Sequence, residues 1–308
     1  MGLNCGLIGL PSCGKTTIYN AITAAEAAIY GASEMNRATV NVPDPRIQPL
    51  MKIFNSLKVV PATLDVVDIH GLKAGSTGRE GHGAKLLGHI KDVDALLHVV
   101  RCFEDENIPF EYDNIDPKRD VETVDLELVV ADSQTVQNKI KRLSKKAHVG
   151  DKAASHEVAE CEKVRAGLEE GVPARKQNLN DHELASVREC NLVTLKPVLY
   201  LANIKSIEDV ENIHVKTLQA IADSEGSEMV AICGKDEAEV SQLEPEDQQE
   251  FLKELGLQES SIERLIRAAY RMLGLVSFFT AVPKEFHVWT CRKGDKAPTA
   301  AGKIHTDM

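Results

Sequence analysis

Apolar positions along this chain alternate between two textures, short continuous runs and longer stretches that step by threes and fours. Residues 3–8, with Leu3, Leu7 and Ile8, form the first short run and predict a buried strand. Ile18, Ala21 and Ile22 follow at helical spacing. Residues 30–37 are polar and glycine-containing and read as a mobile loop; 38–46 read as an edge strand and a turn through Pro43 and Pro45. Ile47, Leu50, Met51 and Phe54 predict a helix, and 62–69 (Leu64, Val66, Val67, Ile69) the next buried strand. A glycine-rich segment, 71–83, precedes a helix carrying Leu86, Leu87 and Ile90, after which 95–100 is apolar again. Strands and helices alternating at this rhythm predict an α/β fold: βαβ units, a mainly parallel sheet covered on both faces, and ligands at the carboxyl ends of its strands.

The texture changes near residue 121. Leu126, Val129, Ser133, Val136, Ile140, Leu143 and Ala147 form a narrow seam on a long helix, and Ala154, Val158, Cys161, Val164 and Leu168 nearly repeat it. Val149-Gly150-Asp151 lies between them as a turn. The pattern predicts an antiparallel helical hairpin with arms of roughly 20 residues, about 30 Å long. It reads as an insertion, because strand-like runs resume at 197–202 and 228–233, followed by amphipathic helices near 248–255 and 261–273. The end of the chain, with 278–281, 286–290 and 302–307, looks like pieces of a small β-rich domain too short for its own core. The expected organisation is therefore a sheet domain over 1–120 and 190–277, a helical insertion over 121–189, and an incomplete C-terminal domain over 278–308.

Composition narrows the function. Lys+Arg 36 against Asp+Glu 47 gives a net charge of -11, which argues against a general nucleic-acid coat and leaves any RNA contact local; no DNA binding is expected. No apolar run approaches the roughly 20 residues of a membrane span, and a strand rather than a secretory leader is expected from Leu3. Seven cysteines occur singly, without a Cys-x-x-Cys pair, as in a reduced, cytoplasmic protein. Cys13 is the exception of interest: a lysine and a helix start beside it both lower a thiol pKa, although a small side chain filling a tight loop is the expected role.

The chemistry concentrates in Gly9-Leu10-Pro11-Ser12-Cys13-Gly14-Lys15-Thr16-Thr17, a Gly-x-x-x-x-Gly-Lys-[Ser/Thr] phosphate loop between a strand and a helix. Its backbone from Pro11 through Thr17 is expected to cradle phosphates at the positive end of the helix, with Lys15 between β- and γ-phosphates and the Thr16 hydroxyl on Mg2+. Asp68 and Gly71 form an Asp-x-x-Gly box at the end of the next buried strand. There the carboxylate holds Mg2+ and the glycine amide meets the γ-phosphate. Lys15, Asp68 and Gly71 are thus the candidate catalytic residues. Thr16, Thr39 and Asp68 are the candidate metal ligands, Thr39 as a switch threonine. Asn203 with Ile204, and Cys233 with Gly234, end later strands on the same sheet edge and are expected to flank a purine base. Leu72 stands where Ras-type enzymes place a water-orienting glutamine.

These motifs, with His98-Val99-Val100-Arg101-Cys102-Phe103-Glu104, the inserted hairpin, Thr194-Leu195-Lys196-Pro197 before Asn203, and the terminal Ala297-Pro298 and Ile304-His305-Thr306-Asp307, resemble the YchF/Obg-like ATPase family along essentially the whole chain. This is a translation-factor-related branch of P-loop GTPases. The resemblance implies a G domain with a helical insertion, the start of a C-terminal β-grasp-like TGS domain, binding of ATP in preference to or alongside GTP, slow hydrolysis, and association with the ribosome. The family's loop usually reads Pro-Asn-Val-Gly-Lys-Ser; Pro11-Ser12-Cys13-Gly14-Lys15-Thr16 keeps its mechanics. The switch region lacks the Asn-Tyr-Pro-Phe-x-Thr run, which weakens Thr39 as a ligand. Ser206 replaces the acidic residue of the Asn-x-x-Glu box, so strict guanine choice is not expected. A histidine that members often carry after Cys-Phe-Glu is replaced near Phe110.

The expectation is a Mg2+-dependent P-loop triphosphatase switch, monomeric, with ATP or GTP as substrate. Its basic hairpin tip over 139–152 (Lys139, Lys141, Arg142, Lys145, Lys146, His148, Lys152) is the expected contact with the ribosome, through RNA phosphates. The alternative is a nucleotide-binding interaction module with little or no hydrolysis.

Overall fold

A computed structural model describes residues 3–24, 36–69, 82–254 and 257–305. The chain runs β1 (Asn4–Ile8), α1 (Lys15–Ala24), β2 (Asn36–Asn41), α2 (Ile47–Phe54), β3 (Val59–Val60), β4 (Thr63–Asp68), α3 (His82–Asp92), β5 (Ala95–Arg101), α4 (Pro117–Ala147) and α5 (Lys152–Glu169). It continues through α6 (Asp181–Val187), β6 (Val198–Asn203), α7 (Ile213–Glu225), β7 (Met229–Ile232), α8 (Gly234–Val240), α9 (Pro245–Glu254), α10 (Ser261–Met272), β8 (Leu275–Ala281), β9 (Phe286–Arg292) and α11 (Ala297–Ala301). The main sheet has the order β2-β4-β1-β5-β6-β7, parallel except for the edge strand β2, which runs antiparallel to β4. It is the sheet expected from the alternation of runs.

Two apolar layers cover it. On one face Ile18 and Ile22 of α1 meet Leu265, Ile266 and Ala269 of α10 across Leu7, Leu97 and Leu199. On the other, Ile90, Val121, Val124, Leu128 and Leu218 pack on Leu96, Val100 and Tyr200. Strands buried on both faces are why 95–100 and 197–202 are nearly all apolar rather than alternating, with His98 the one polar residue, itself buried.

The hairpin is present, but its first arm does two jobs. Asp116 caps α4 through its carboxylate, Pro117 occupies the first turn, and the helix runs for 31 residues rather than about 20. Its first part belongs to the sheet layer; only from Val129 onward do Val136 and Ile140 pack on Cys161, Val164 and Leu168 of α5. The seam read through Leu126 is therefore wrong there: Leu126 is 53% exposed, because the helix changes partner and the buried face turns with it. Polar groups fill the joint. Asp132, fully buried, accepts hydrogen bonds from Val193 N, Thr194 N and Thr194 Oγ1 at 3.0, 2.7 and 2.6 Å.

Two further expectations change. A small second sheet of order β3-β9-β8 does form, but it takes β3 from the stretch before β4, so the C-terminal strands are stitched to the main domain. Residues 302–305 are not a strand; they continue α11 as a turn. Residues 306 and 307 lie outside the described residues.

Candidate functional site

Strand β1 delivers the chain to the loop at 9–14, where backbone conformation depends on glycine. Gly9 has φ +146° and Gly14 φ +102°, and a Cβ would collide with Val99 O at the first and with Asn203 Nδ2 at the second. Ser12 also adopts a left-handed φ of +58°. Such a wrap turns successive N–H groups towards one concavity at the start of α1, whose first turn carries no acidic residue to compete for an anion. Lys15, 7% exposed, lies along the loop, donating through Nζ to Leu10 O at 2.7 Å and Gly9 O at 3.2 Å.

The Asp-x-x-Gly carboxylate arrives from β4, whose parallel register sets Asp68 opposite Leu7. Thr16 Oγ1 donates to Asp68 Oδ2 at 3.3 Å, and the other oxygen, Oδ1, is buried without a hydrogen-bond partner among the described residues. An orphaned carboxylate oxygen beside a threonine hydroxyl is a hard oxygen donor set, which fits Mg2+. Gly71 lies outside the described residues. Thr39 does not join this group. Antiparallel pairing sets it opposite Asp65, to whose Oδ1 its hydroxyl donates at 2.5 Å, and Asn36, not Thr39, is the register partner of Asp68. Three residues of strand separate the two positions, about 10 Å at 3.3 Å per residue.

A cavity of about 620 Å³ opens from the loop across the carboxyl ends of β5, β6 and β7. Ser12, Gly14, Lys15, Thr16, Thr17, Asn203 and Ile204 line it, as expected of phosphate- and base-side residues; Pro11, Cys13, Cys233 and Gly234 do not. Asn203 acts as a staple: its Nδ2 donates to Cys13 O at 2.9 Å and its Oδ1 accepts from Gly234 N at 3.3 Å, tying the loop to the start of α8. Cys233 sits behind, its thiol donating to Lys205 O. Cys13 behaves as the small loop-filling side chain rather than as an activated thiol. Burial pushes its pKa up, and Lys15, whose Nζ lies 3.8 Å from its sulfur, only partly offsets that.

The remaining lining residues are Lys205, Ser206, Lys235, Asp236 and one segment that was not among the candidate site residues, Phe103 to Ile108 with Asp105 between. The available signal was topological, since Arg101 is the register partner of Asn203 and whatever follows β5 must emerge beside it. The basic tip is also narrower than expected. Lys139 is buried, donating to Ser186 O at 2.6 Å and paired with Glu157 at 2.6 Å, while Lys141, Arg142, Lys145, Lys146, His148 and Lys152 are exposed.

Fold and loop together define a P-loop protein of the G-domain class. Comparison with known proteins places it more narrowly: the chain belongs to the YchF family. It is 42% identical over 312 residues to the "Ribosome-binding ATPase YchF" of Haemophilus ducreyi, covering 100% of this chain and 86% of the relative. It is likewise 42% identical over 315 residues to the protein of that name in Bacillus subtilis, with the same coverage. Among solved structures, the Schizosaccharomyces pombe YchF GTPase matches with TM-score 0.85 at 33% identity, over 99% of this chain and 85% of that one. A GTP-binding protein of Pyrococcus horikoshii shares the fold at TM-score 0.57 and 19% identity, over 99% of this chain and 90% of that one. Residues 4–153 match the family described as "50S ribosome-binding GTPase", and 275–308 match the YchF GTPase C-terminal family, described as "Protein of unknown function (DUF933)".

Proposed function

We propose that this chain is a Mg2+-dependent triphosphatase switch that binds ATP or GTP, hydrolyses it slowly, and acts in the cytoplasm on the ribosome. The observation that carries the reading is the meeting of Thr16 and the half-satisfied Asp68 at the mouth of the phosphate loop. In this reading the backbone of 9–14 and the start of α1 bind the phosphates, Lys15 exchanges its bonds to Gly9 O and Leu10 O for phosphate oxygens, and Thr16 and Asp68 hold the metal. Mg2+, when bound, neutralises charge developing on the transferred phosphoryl oxygens. The sheet domain (1–120, 190–277) serves as the G domain. The hairpin (121–189) and the beginning of a TGS domain (278–308) report its state to the ribosome.

Single-turnover hydrolysis of ATP and GTP, with Lys15→Ala as reference, tests this. The wild-type chain is expected to hydrolyse at least about 100-fold faster than Lys15→Ala, in the range that one lost charge-stabilising donor costs. Activity equal to that of Lys15→Ala would instead leave the second reading, an interaction module with little hydrolysis, which Leu72 in the glutamine position favours.

The ribosome contact has its own test. Neutralising Lys141, Arg142 and Lys145 is expected to weaken ribosome binding and to flatten the slope of log affinity against log salt by roughly two to three. An unchanged slope would return these side chains to being a solvated helix end.

A further inference from the structure

Arg101 ends β5, just before the segment that lines the cavity, and is 2% exposed. A guanidinium so deeply buried is costly unless its donors are met. Its donors converge on one short segment. Nε donates to Phe103 O at 3.1 Å, Nη2 to Asp105 O at 3.1 Å and Nη1 to Ile108 O at 3.2 Å. The same planar group lies against two rings, 4.5 Å from the centroid of Phe103 and 5.0 Å from that of Phe110. Residues 103–110 contain neither helix nor strand, so this fork and these two ring contacts take the place of a ladder in fixing their course.

That course matters because of what the segment lines. Phe103, Asp105 and Ile108 form one wall of the cavity, facing Lys205 and Ser206 after β6 and Lys235 and Asp236 on α8. The phosphate end is occupied by Gly14, Lys15 and Thr16, and both ends of the Asn203 amide are engaged in the staple between the loop and α8. A nucleotide anchored by its phosphates in the loop extends into the space bounded by the 103–108 wall. An aromatic ring and an isoleucine offer apolar area to a base, and a wall already fixed spares the ordering cost of forming it on binding.

We propose that Arg101 is a positioning residue for nucleotide binding, holding Phe103 and Ile108 as the base-side wall of the cavity; the proposal rests on the nucleotide-binding reading of that cavity. A lysine keeps the charge but not the planar three-way fork, so Arg101→Lys loosens the wall without touching the phosphate loop.

The test compares two probes on the 308-residue chain by calorimetry in the presence of Mg2+: ATP, which reaches both loop and wall, and inorganic tripolyphosphate, which reaches only the loop. Arg101→Lys is expected to weaken ATP binding about tenfold, the consequence of losing about one charge-assisted hydrogen bond's worth of preorganisation, while tripolyphosphate affinity stays within about twofold. In turnover the loss is expected in KM rather than in kcat. Phe110→Leu removes one of the two ring contacts without stranding a charge and is expected to weaken ATP alone by about threefold; should Arg101→Lys fail to fold, this variant decides by the same comparison. Wild-type ATP affinity in both variants, or an equal loss for both probes, overturns the positioning role. Failure of the wild-type chain to bind either probe overturns the nucleotide reading itself, a separate outcome.

Discussion

Asp68→Asn is expected to slow single-turnover hydrolysis by about 100-fold or more and to raise the Mg2+ concentration that supports half-maximal nucleotide binding. The argument starts from a buried oxygen. Asp68 is 8% exposed, and one carboxylate oxygen accepts from Thr16 while the other has no partner among the described residues. An unsatisfied buried oxygen is costly, and in the proposed reading a bound cation would meet that cost. An amide of the same shape can still accept the Thr16 hydroxyl through its oxygen, but its NH2 group cannot ligate a cation. Stability is expected to change by less than about 1 kcal/mol, since shape and the strand are kept. A variant with wild-type rate and wild-type Mg2+ dependence would reduce Asp68 to a strand-end residue and remove the main support for the switch.

What could be read from the residues divides by the range of the interactions involved. The phosphate loop was legible because its determinants are local: a strand, two glycines that need positive φ, and a helix start within a few residues. Sheet strands were legible because burial on both faces writes them as mostly apolar runs, interrupted only by buried polar residues such as Asp65 and His98. Thr39 was not placed correctly, since its neighbours depend on the register of an antiparallel edge pair, which no residue in 38–41 encodes alone. Leu126 and Lys139 failed for a related reason: α4 leaves the sheet for α5 midway, so a single helical periodicity cannot describe which face is buried. Lys139 is buried because Ser186 O and Glu157, brought in by other helices, satisfy its charge. The wall at 103–108 has no periodicity at all, and becomes readable only when Arg101 is seen to hold it.

The joint between hairpin and sheet is where the largest loss of stability is expected: Arg175→Met should lower the free energy of unfolding by about 3–5 kcal/mol, measured by urea denaturation. Arg175 Nη2 bridges both oxygens of Asp125 at 2.7 and 2.8 Å, and Nε reaches Glu225 at 3.3 Å. Lys176 meets the same two acids, at 3.1 Å for Asp125 and 2.6 Å for Glu225, and Tyr200 donates its hydroxyl to Glu225. Four charges thus tie α4 and α7 to the short turn at 174–176, the Tyr200 hydroxyl adds β6, and the two carboxylate side chains are only 8% and 6% exposed. Burial alone raises the Asp125 carboxyl pKa, yet the two cations more than reverse this and hold it below the usual range. Removing Arg175 therefore leaves two desolvated carboxylates sharing Lys176, itself 32% exposed and the weaker, singly pointed donor. The penalty belongs to the stranded charges more than to the lost contact, which makes a second expectation: Arg175→Met combined with Asp125→Leu should recover about 2 kcal/mol of the loss. A single variant that loses less than about 1 kcal/mol would mean that Lys176 alone satisfies both acids, and that the hairpin is held to the sheet by its apolar contacts and Asp132 rather than by this quartet.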